Sequence, residues 1–534
     1  MLRALLALAA ALLVLPPAAV AGPSGPEPVP GVTRAAILVG NNWAGTTDVI
    51  DPATFERLDR VDVIPDRAER EAEIAFAPDR LGFYMAIREL VGEGNHQYND
   101  DVFSSHDGST IFVSRPSFAD VVAIDLATKQ IKWRTPVKGY RSDHMAISGD
   151  GTRLLVSAST GNVVHEIDTA TGQITGEFPS GDSPHENVYS KDGSTIYHAS
   201  IGRVYMPVDR PRDVATATRG GEFFQVVDAR TKQVRKRIKM GEKMAEAGHE
   251  DFSNAVRPMA LSPDERFVYF QLSFFHGFVE YDLTADRVTR IARLPIPEET
   301  QRIPPEQYLL DSAHHGLALD PTGSKLCVAG TMSDYAAIVD RRTFAPKVIP
   351  GVKKPYWSTN SGDGRHCYVS ASQADEVLVI DYASEEVVHR IPVGRHPQRV
   401  RNGVVRVAQY PHGRHGEPFA LEVFHERAPI GVLGGDENIG CRARDAQRLR
   451  LVRCRVELRA RVRRGAKPVL VGAGERFVED RRSFAVDVDL NEQGRALVRR
   501  RPRGFPVTLI ARGVDSVGRV ETVTKRVRLR RGVR

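Results

Sequence analysis

Two patterns of alternating apolar and polar residues repeat along most of the chain. The first surrounds a turn that contains Asp and Gly, as in DDVFSSHDGSTIFVS, DHMAISGDGTRLLVS and HENVYSKDGSTIYHA. The second places an aspartate before a short polar turn, as in AIDLATKQIKWRT and EIDTATGQITGEF. Apolar residues at every second position predict half-buried β-strands, and the Asp, Gly and Ser clusters between them predict tight turns.

Each repeat therefore contains four predicted strands, named A to D in chain order. Four strands at a period of about 40 residues are typical of one blade of a β-propeller. Seven A runs start near residues 100, 143, 185, 257, 315, 356 and 397. The chain enters the repeats at a B run, RAAILVGNN, and leaves them after an A run, HPQRVRNG. We expect this last A strand to complete the first blade, because a closed ring leaves no free sheet edge.

The repeat also resembles a known family. Motifs such as YWSTNSGDGRHCYVS and VIDYASEEVVHRI are similar to the YVTN/YncE-like repeats of bacterial seven-bladed propellers. The resemblance covers residues 33–405. It implies an all-β propeller, and it leaves the function open because members of that family are mostly binding or surface proteins, with a few enzymes.

Long connections are predicted on one end of the propeller only. The A–B and C–D turns are short, whereas residues 66–97, 241–255 and 296–313 link D to A, and residues 202–221 link B to C. In a blade of alternating strands, D–A and B–C connections lie on the same face. Long loops on one face of a rigid scaffold are common binding sites.

Polar residues precede the A strands, where the central channel of a propeller opens onto the long-loop face. We expect a ligand to be bound at this mouth. The candidate ligand-binding residues are Asp100, Asp143, His144, His185, Glu186, Arg257, His314, His315, Tyr356 and Trp357.

Three interpretations of this mouth remain open from the sequence. The charges could simply pair with one another around a solvated channel. His144, His185 and His315 could instead converge on a divalent metal ion, since imidazole suits Zn, Cu, Fe and Ni. A small ligand could also be bound there without a metal. If a metal is bound, it could support a lactonase-type hydrolase with nearby carboxylates, or a His-ligated redox enzyme. No G-x-S-x-G elbow or nucleotide fingerprint is present. The sequence favours a secreted binding protein for a small molecule or polymer, and it does not decide whether the chain is an enzyme.

Residues 409–534 lack the repeat and form a separate predicted unit. Seven short alternating runs, including RALVRR and FPVTLIARGVD, predict a smaller Ig-like β-sandwich. From residue 401 onward the chain has 31 Lys and Arg against 15 Asp and Glu, and 29 of the basic residues are Arg. Such a basic unit could bind an anionic cell-surface polymer. Nucleic acid is not expected as a partner of an exported, monomeric protein.

The first residues predict export. MLRALLALAAALLVLPPAAVAG has a basic start, a short apolar run and small residues before Gly22, which is typical of a signal peptide over residues 1–21. Residues 22–32 form a Pro/Gly-rich spacer before the propeller of residues 33–408. The apolar run is too short for a membrane span, and no other span is predicted. A secreted or cell-surface location permits disulfides.

The four cysteines divide into two pairs. Cys441 and Cys454 are the only cysteines of the basic unit, and we expect them to form a disulfide. Cys327 and Cys367 lie on the B strands of adjacent blades, one residue out of phase. Facing sheets lie about 10 Å apart, too far for a disulfide without a close local approach. We therefore expect two separate buried thiols there.

Overall fold

The computed structural model describes residues 25–204, 219–308, 310, 312–410, 420–425, 432–433, 437–444, 451–463, 466–481, 483–515 and 520–530. The predicted signal peptide, residues 1–21, and the start of the predicted spacer lie outside the described residues. Among the described residues, none of the helices combines the length and the apolar character needed to cross a bilayer.

Residues 33–406, called the propeller below, form seven antiparallel four-stranded sheets, as predicted. Blade 1 contains β1 (Thr33–Asn41), β2 (Thr46–Ile50), β3 (Arg57–Asp62) and β28 (Pro397–Arg406); blade 2 contains β4 (Asp101–Ser104), β5 (Thr110–Arg115), β6 (Asp120–Asp125) and β7 (Ile131–Pro136); blade 3 contains β8 (Ser142–Ile147), β9 (Arg153–Ala158), β10 (Val163–Asp168) and β11 (Ile174–Pro179). Blade 4 contains β12 (Pro184–Tyr189), β13 (Thr195–Ser200), β14 (Phe224–Asp228) and β15 (Val234–Ile238); blade 5 contains β16 (Val256–Leu261), β17 (Phe267–Leu272), β18 (Gly277–Asp282) and β19 (Arg287–Arg293). Blade 6 contains β20 (Leu317–Leu319), β21 (Lys325–Gly330), β22 (Tyr335–Asp340) and β23 (Pro346–Pro350); blade 7 contains β24 (Pro355–Asn360), β25 (His366–Ala371), β26 (Glu376–Asp381) and β27 (Glu386–Pro392).

The ring closes as the order of the runs predicts. β28 pairs with β1 from Thr33 opposite Arg406 to Asn41 opposite Pro397, so the last A strand completes blade 1. The A strands of every two adjacent blades contact each other around the whole ring. These strands therefore surround the axis, and their side chains determine what the axis contains.

Local hydrogen bonds explain why the turn sequences recur. In the first A–B turn, Asp107 Oδ1 accepts hydrogen bonds from the Ser105 hydroxyl and the Ser109 backbone N–H. At Gly151, the equivalent turn has φ +73°, and a Cβ there would lie 2.6 Å from the His106 ring. In the C–D turn of blade 2, Asp125 Oδ1 accepts hydrogen bonds from the backbone N–H groups of Ala127 and Thr128. Short polar side chains that bond their own backbone make these turns local features of the sequence.

Apolar side chains fill the spaces between blades, and one of these spaces contains a disulfide that we did not expect. Cys327 on β21 and Cys367 on β25 are bonded, with a Cα–Cα distance of 6.4 Å. The prediction of separate thiols was wrong because the blades approach closely here. The surrounding buried cluster includes Ala329 and Ala371, whose small side chains leave room for that approach. Out-of-phase positions on facing strands then point into the same space.

Helices occur in the long connections between blades. α1 (Arg67–Ala75) and α2 (Pro78–Ala86), followed by a π-helical turn over Ile87–Val91, lie between β3 and β4. α3 (Met240–Glu246) follows β15, and α4 (Glu298–Gln301) follows β19. The first of the predicted long connections is therefore partly helical.

The C-terminal strands form one eight-stranded sheet, called the C-terminal sheet below. Its elements are β29 (Ala420–His425), β30 (Val432–Leu433), β31 (Glu437–Arg444), β32 (Leu451–Ala460), β33 (Val469–Arg481), β34 (Ser483–Leu490), α5 (Glu492–Arg500), β35 (Phe505–Asp515) and β36 (Val520–Leu529). The strand order is β29-β31-β34-β33-β32-β35-β36-β30. The sheet curls back on itself around one apolar cluster, so that β29 contacts β36. Among the described residues, a single curled sheet encloses the core, and the two separate sheets of the predicted sandwich are not seen.

Two sequence predictions for this region have different outcomes. The Cys441–Cys454 disulfide is confirmed, and it joins β31 and β32, which are not neighbours in the strand order. The run RALVRR, predicted as a strand, lies instead in α5. The Asn491 side chain caps this helix by accepting from the Gly494 backbone N–H, and Arg499 and Arg500 occupy its last turn. Cap and terminal charges favour the helix over the alternating pattern.

Candidate functional site

Nine of the ten candidate residues come together at the propeller axis, as the A-strand alignment predicts. We call this group, together with Arg399, the axial cluster. Its members are Asp100, Asp143, His144, His185, Glu186, Arg257, His315, Tyr356, Trp357 and Arg399. The nine predicted side chains are all less than 8 % exposed. The cluster is therefore an enclosed polar core, whereas the sequence suggested an open channel mouth.

The tenth candidate, His314, lies away from this cluster. Its Nε2 is 3.3 Å from the Tyr335 hydroxyl, and its ring lies edge-on to that of His276. Because adjacent residues of an extended segment point to opposite sides, the pair His314–His315 contributes one imidazole to the axis and one to the space between blades.

The three imidazoles of the axial cluster are close enough to share one ion. One ligand atom from each of His144, His185 and His315 lies within 4.8 Å of the other two. The Nε2 atoms of His185 and His315 are 3.4 Å apart. Zinc–nitrogen bonds of about 2.0–2.1 Å in a tetrahedron place two ligand nitrogens roughly 3.3–3.4 Å apart. This pair is therefore spaced like two ligands of a tetrahedral ion.

Hydrogen bonds orient two of these rings. His315 Nδ1 is 3.2 Å from the carbonyl oxygen of Tyr356, so Nδ1 carries the proton and Nε2 presents a lone pair. His144 Nδ1 is 2.5 Å from Glu186 Oε2. Metal-ligating histidines commonly have the other ring nitrogen bonded to a carboxylate or a carbonyl in this way. Both rings thus have the outer partners of an Nε2 ligand.

Arg399 is the member of the axial cluster that the sequence analysis missed. It is fully buried, its Nη2 contacts His144 Nε2, and its guanidinium lies 4.5 Å from the centre of the Trp357 ring. A signal was available. The runs SPHEN, KPYWS and HPQRV align on their prolines, which places Arg399 at the same position as Glu186 and Trp357.

Arginines neutralise most of the carboxylates near the axis. Arg141 pairs with Asp143, and Arg401 pairs with Asp101 through two hydrogen bonds of 2.9 and 2.7 Å. Asp100 Oδ2 is 3.5 Å from Arg399 Nη2. Buried charges need such partners because the protein interior solvates them poorly.

Burial controls the protonation of the axial cluster. Loss of solvent holds the pKa of His144, His185 and His315 well below the usual range of histidine, and nearby cationic or imidazole groups add to this effect. All three imidazoles are therefore neutral at neutral pH. Burial also raises the pKa of Glu186 to about 8 and raises that of Asp100. The contact of His144 with Arg399 determines the His144 tautomer: arginine can only donate, so Nε2 accepts and Nδ1 carries the proton.

A second group of three possible ligands overlaps the first. Asp100, Asp143 and His144 also have ligand atoms within 4.8 Å of one another. Both aspartates in this group already have arginine partners. The imidazole group is therefore the better site for a cation.

The long connections cover the axial cluster. Gln97, in the segment after α2, is buried and its side-chain oxygen accepts from Arg141 Nη2 at 3.3 Å. The backbone carbonyl of Leu310, in the segment after α4, accepts from Arg257 Nη2. Both segments were predicted as long-loop connections, and both contribute partners to the axis.

Comparison with known proteins identifies a likeness of fold only. No protein-family model matches the chain, and no curated protein matches it in sequence. Among solved structures, the chain is similar to Kuenenia stuttgartiensis Hydrazine Synthase, with 18% sequence identity and a TM-score of 0.43. The match covers 56% of this chain and 88% of that chain. A likeness at this level carries no conclusion about activity.

Proposed function

We propose that the chain is an exported binding protein whose propeller holds a divalent transition-metal ion at its axis, with His144, His185 and His315 as ligands. The observation that supports this proposal most directly is the spacing of the three imidazoles, which come from blades 3, 4 and 6 and lie within 4.8 Å of one another. Three imidazoles suit Zn, Cu, Fe or Ni.

The outer partners support the same assignment. Bonds from Nδ1 to Glu186 and to the Tyr356 carbonyl leave the Nε2 atoms of His144 and His315 to face the ion. Arg399 lies against His144 Nε2, so an ion held by all three rings requires the guanidinium to move off that nitrogen. Three protein ligands leave a further coordination position for a small molecule, as in catalytic zinc sites, where the ion polarises a carbonyl or activates water.

The organisation of the chain is part of the proposal. We propose a signal peptide over residues 1–21, a propeller over residues 33–408 related to the YVTN/YncE-like family, and a separate basic β-unit over residues 409–534. In this view the basic unit binds an anionic polymer at the cell surface, and the protein is a monomer. The arginine excess of the last quarter of the chain supports the polymer contact.

Elemental analysis of the purified chain tests the metal proposal. We expect about one equivalent of a transition metal in the untagged protein, or after reconstitution with Zn²⁺ or Cu²⁺ followed by desalting. The variant His315→Gln should reduce metal affinity by about 100-fold or more, because it removes a ligand rather than an outer partner.

The adjacent histidine provides a matched control. His314→Gln changes the neighbouring residue in the same HH pair, yet that side chain contacts Tyr335 and not the axial cluster. It should leave metal content unchanged. Equal loss of metal in both variants, or less than about 0.1 equivalent in the reconstituted wild type, would reject the three-histidine site.

A further inference from the structure

Two side chains of the axial cluster have buried N–H groups without a hydrogen-bond partner. Within the described part of the chain, no acceptor is bonded to Nε or Nη1 of Arg399, or to the indole Nε1 of Trp357. Arg399 is 0% exposed and Trp357 is 4% exposed. The two side chains stack on each other. Unpartnered buried donors are rare in folded proteins, and a bound water molecule or ion is a common explanation for them.

Comparison with Arg401 shows what Arg399 lacks. Both arginines are on β28, and both guanidinium groups lie over the Trp357 ring, at 4.5 and 4.7 Å from its centre. Arg401 is paired with Asp101 through two hydrogen bonds. Arg399 has one carboxylate contact, with Asp100 at 3.5 Å, and this contact uses the same Nη2 that meets His144. A wholly buried cation with a single long carboxylate contact is incompletely neutralised.

We infer that Arg399 and Trp357 form a binding site for a small anion, an inorganic oxyanion or a small carboxylate, next to the three imidazoles. Its oxygen atoms would accept from the free N–H groups of both side chains, and its charge would complete the neutralisation of Arg399. Hydrogen bonds between arginine and an oxyanion are charge-assisted and short, which makes them stronger than neutral ones. The long connections enclose the cluster, so the ligand must be small.

The position of this site connects it with the metal proposal, on which one part of the inference rests. The Nη2 of Arg399 contacts His144 Nε2. A metal ion bound by His144 would release this guanidinium and add positive charge beside it. We therefore expect the anion to bind more tightly when the metal is bound, as a substrate or co-ligand of the same centre. Binding of the anion to the metal-free chain depends only on the donors described above.

Isothermal titration of the full chain tests the inference. The probes are phosphate, sulfate, nitrate and acetate as sodium salts at constant ionic strength, with chloride as the reference anion. Each is titrated into protein dialysed against a chelator and into protein loaded with Zn²⁺. We expect one of the oxyanions or acetate to bind with a Kd of about 1 mM or tighter, and the preference between acetate and the inorganic ions identifies the ligand class.

Variants locate the binding. Arg399→Lys keeps the charge but loses Nε and Nη1, and should weaken binding about 10-fold. Trp357→Phe keeps the ring and loses the indole N–H, and should weaken it about 3-fold to 10-fold. Arg401→Lys is the matched control and should change the affinity less than about 2-fold, because its donors are already used by Asp101.

Three results would overturn the inference. The first is no binding of any probe to the wild type below about 50 mM in either form. The second is equal weakening by Arg401→Lys and Arg399→Lys. The third is an unchanged affinity for the anion in Trp357→Phe. This variant is sufficient to test the inference if the Arg399 variant does not fold. The failure of the metal site can be recognised separately. If neither the wild type nor His315→Gln binds metal, but the metal-free chain still binds the anion, only the metal proposal is rejected.

Discussion

The propeller and the C-terminal sheet use arginine in opposite ways. In the propeller, Arg115, Arg257 and Arg399 are among the largest fully buried side chains of the chain. In the C-terminal sheet, Arg455, Arg459 and Arg512 have side chains that are 43–55 % exposed, and the enclosed cluster is apolar. Net charge alone does not reveal this difference. The C-terminal sheet lies in the arginine-rich part of the chain, yet its described arginines lie at the surface.

The difference shows where charge has a specific role. An exposed arginine is solvated by water and costs little to keep, so its presence says little about a site. A buried arginine costs several kcal/mol unless its partners are in place. Seven A strands surround one axis and bring many side chains together there. In the propeller, these axial side chains include charged and titratable groups. The C-terminal sheet uses its enclosed space for packing and a disulfide.

The largest effect should come from a buried arginine of the propeller. Arg115 is bonded to Asp120 at 2.8 Å and also to Asp66, which ties the segment before α1 to blade 2. Arg115→Met removes the two hydrogen bonds to Asp120 and leaves this buried carboxylate only the longer 3.4 Å contact with Arg70, so it should lower the free energy of unfolding by about 4 kcal/mol. All three tryptophans of the chain, Trp43, Trp133 and Trp357, lie in the propeller, so fluorescence in urea reports this transition. A loss below about 1 kcal/mol would contradict the contrast between the two regions.

Removing each disulfide should destabilise only the region that contains it. Cys441 and Cys454 close a loop with a sequence separation of 13, so replacing both by Ala should destabilise the C-terminal sheet by about 3 kcal/mol. Hydrogen exchange in peptides of residues 432–529 should rise, while the tryptophan transition stays unchanged. Replacing both Cys327 and Cys367 by Ala should shift the tryptophan transition and leave hydrogen exchange in residues 432–529 unchanged. Equal effects of both variants on both readouts would show that the two regions unfold together.

A buried histidine should make the propeller sensitive to acid. Burial lowers the pKa of His276 to about 4, and within the described residues its ring nitrogens are hydrogen-bonded to the hydroxyls of Ser333 and Tyr308. In the unfolded chain the His276 imidazole has a pKa of about 6.5, so it binds a proton at a pH where it stays neutral in the folded chain. The free energy of unfolding therefore falls as pH decreases from about 6.5 to 4. His276→Gln should reduce this fall by about 2 kcal/mol, measured by urea unfolding at pH 7 and pH 4.5. His249, which is only partly buried, provides the control substitution.

The smallest effect should come from an exposed arginine of the C-terminal sheet. Arg459 bonds Glu457 on the same strand at 2.9 Å, with both side chains accessible to water. Arg459→Ser should change the stability of the sheet by no more than about 0.5 kcal/mol. Far-UV circular dichroism during urea unfolding is a suitable measurement. A loss comparable with that of Arg115→Met would remove the distinction between buried and exposed arginine on which the comparison rests.

Local sequence patterns determined the architecture of the propeller. Period-two runs define strands, and Asp–Gly turns bond their own backbone, so four strands per repeat and seven repeats follow from neighbours in the chain. The closure of the ring by β28 also follows, because the order of runs begins with B and ends with A. The same alignment brought nine of the ten candidate residues to the axis, and the isolation of Cys441 and Cys454 in the basic unit predicted their bond.

Only the tertiary structure decided which side chains meet. It turned His315 to the axis and His314 away, brought Arg399 against His144, and placed Cys327 and Cys367 close enough to bond. It also arranged the described C-terminal strands in one curled sheet, and it formed α5 where a strand was predicted. Such contacts join residues from different blades or distant strands. They depend on the tilt and spacing of sheets, which the sizes of many packed side chains set together, and no single run of residues encodes them.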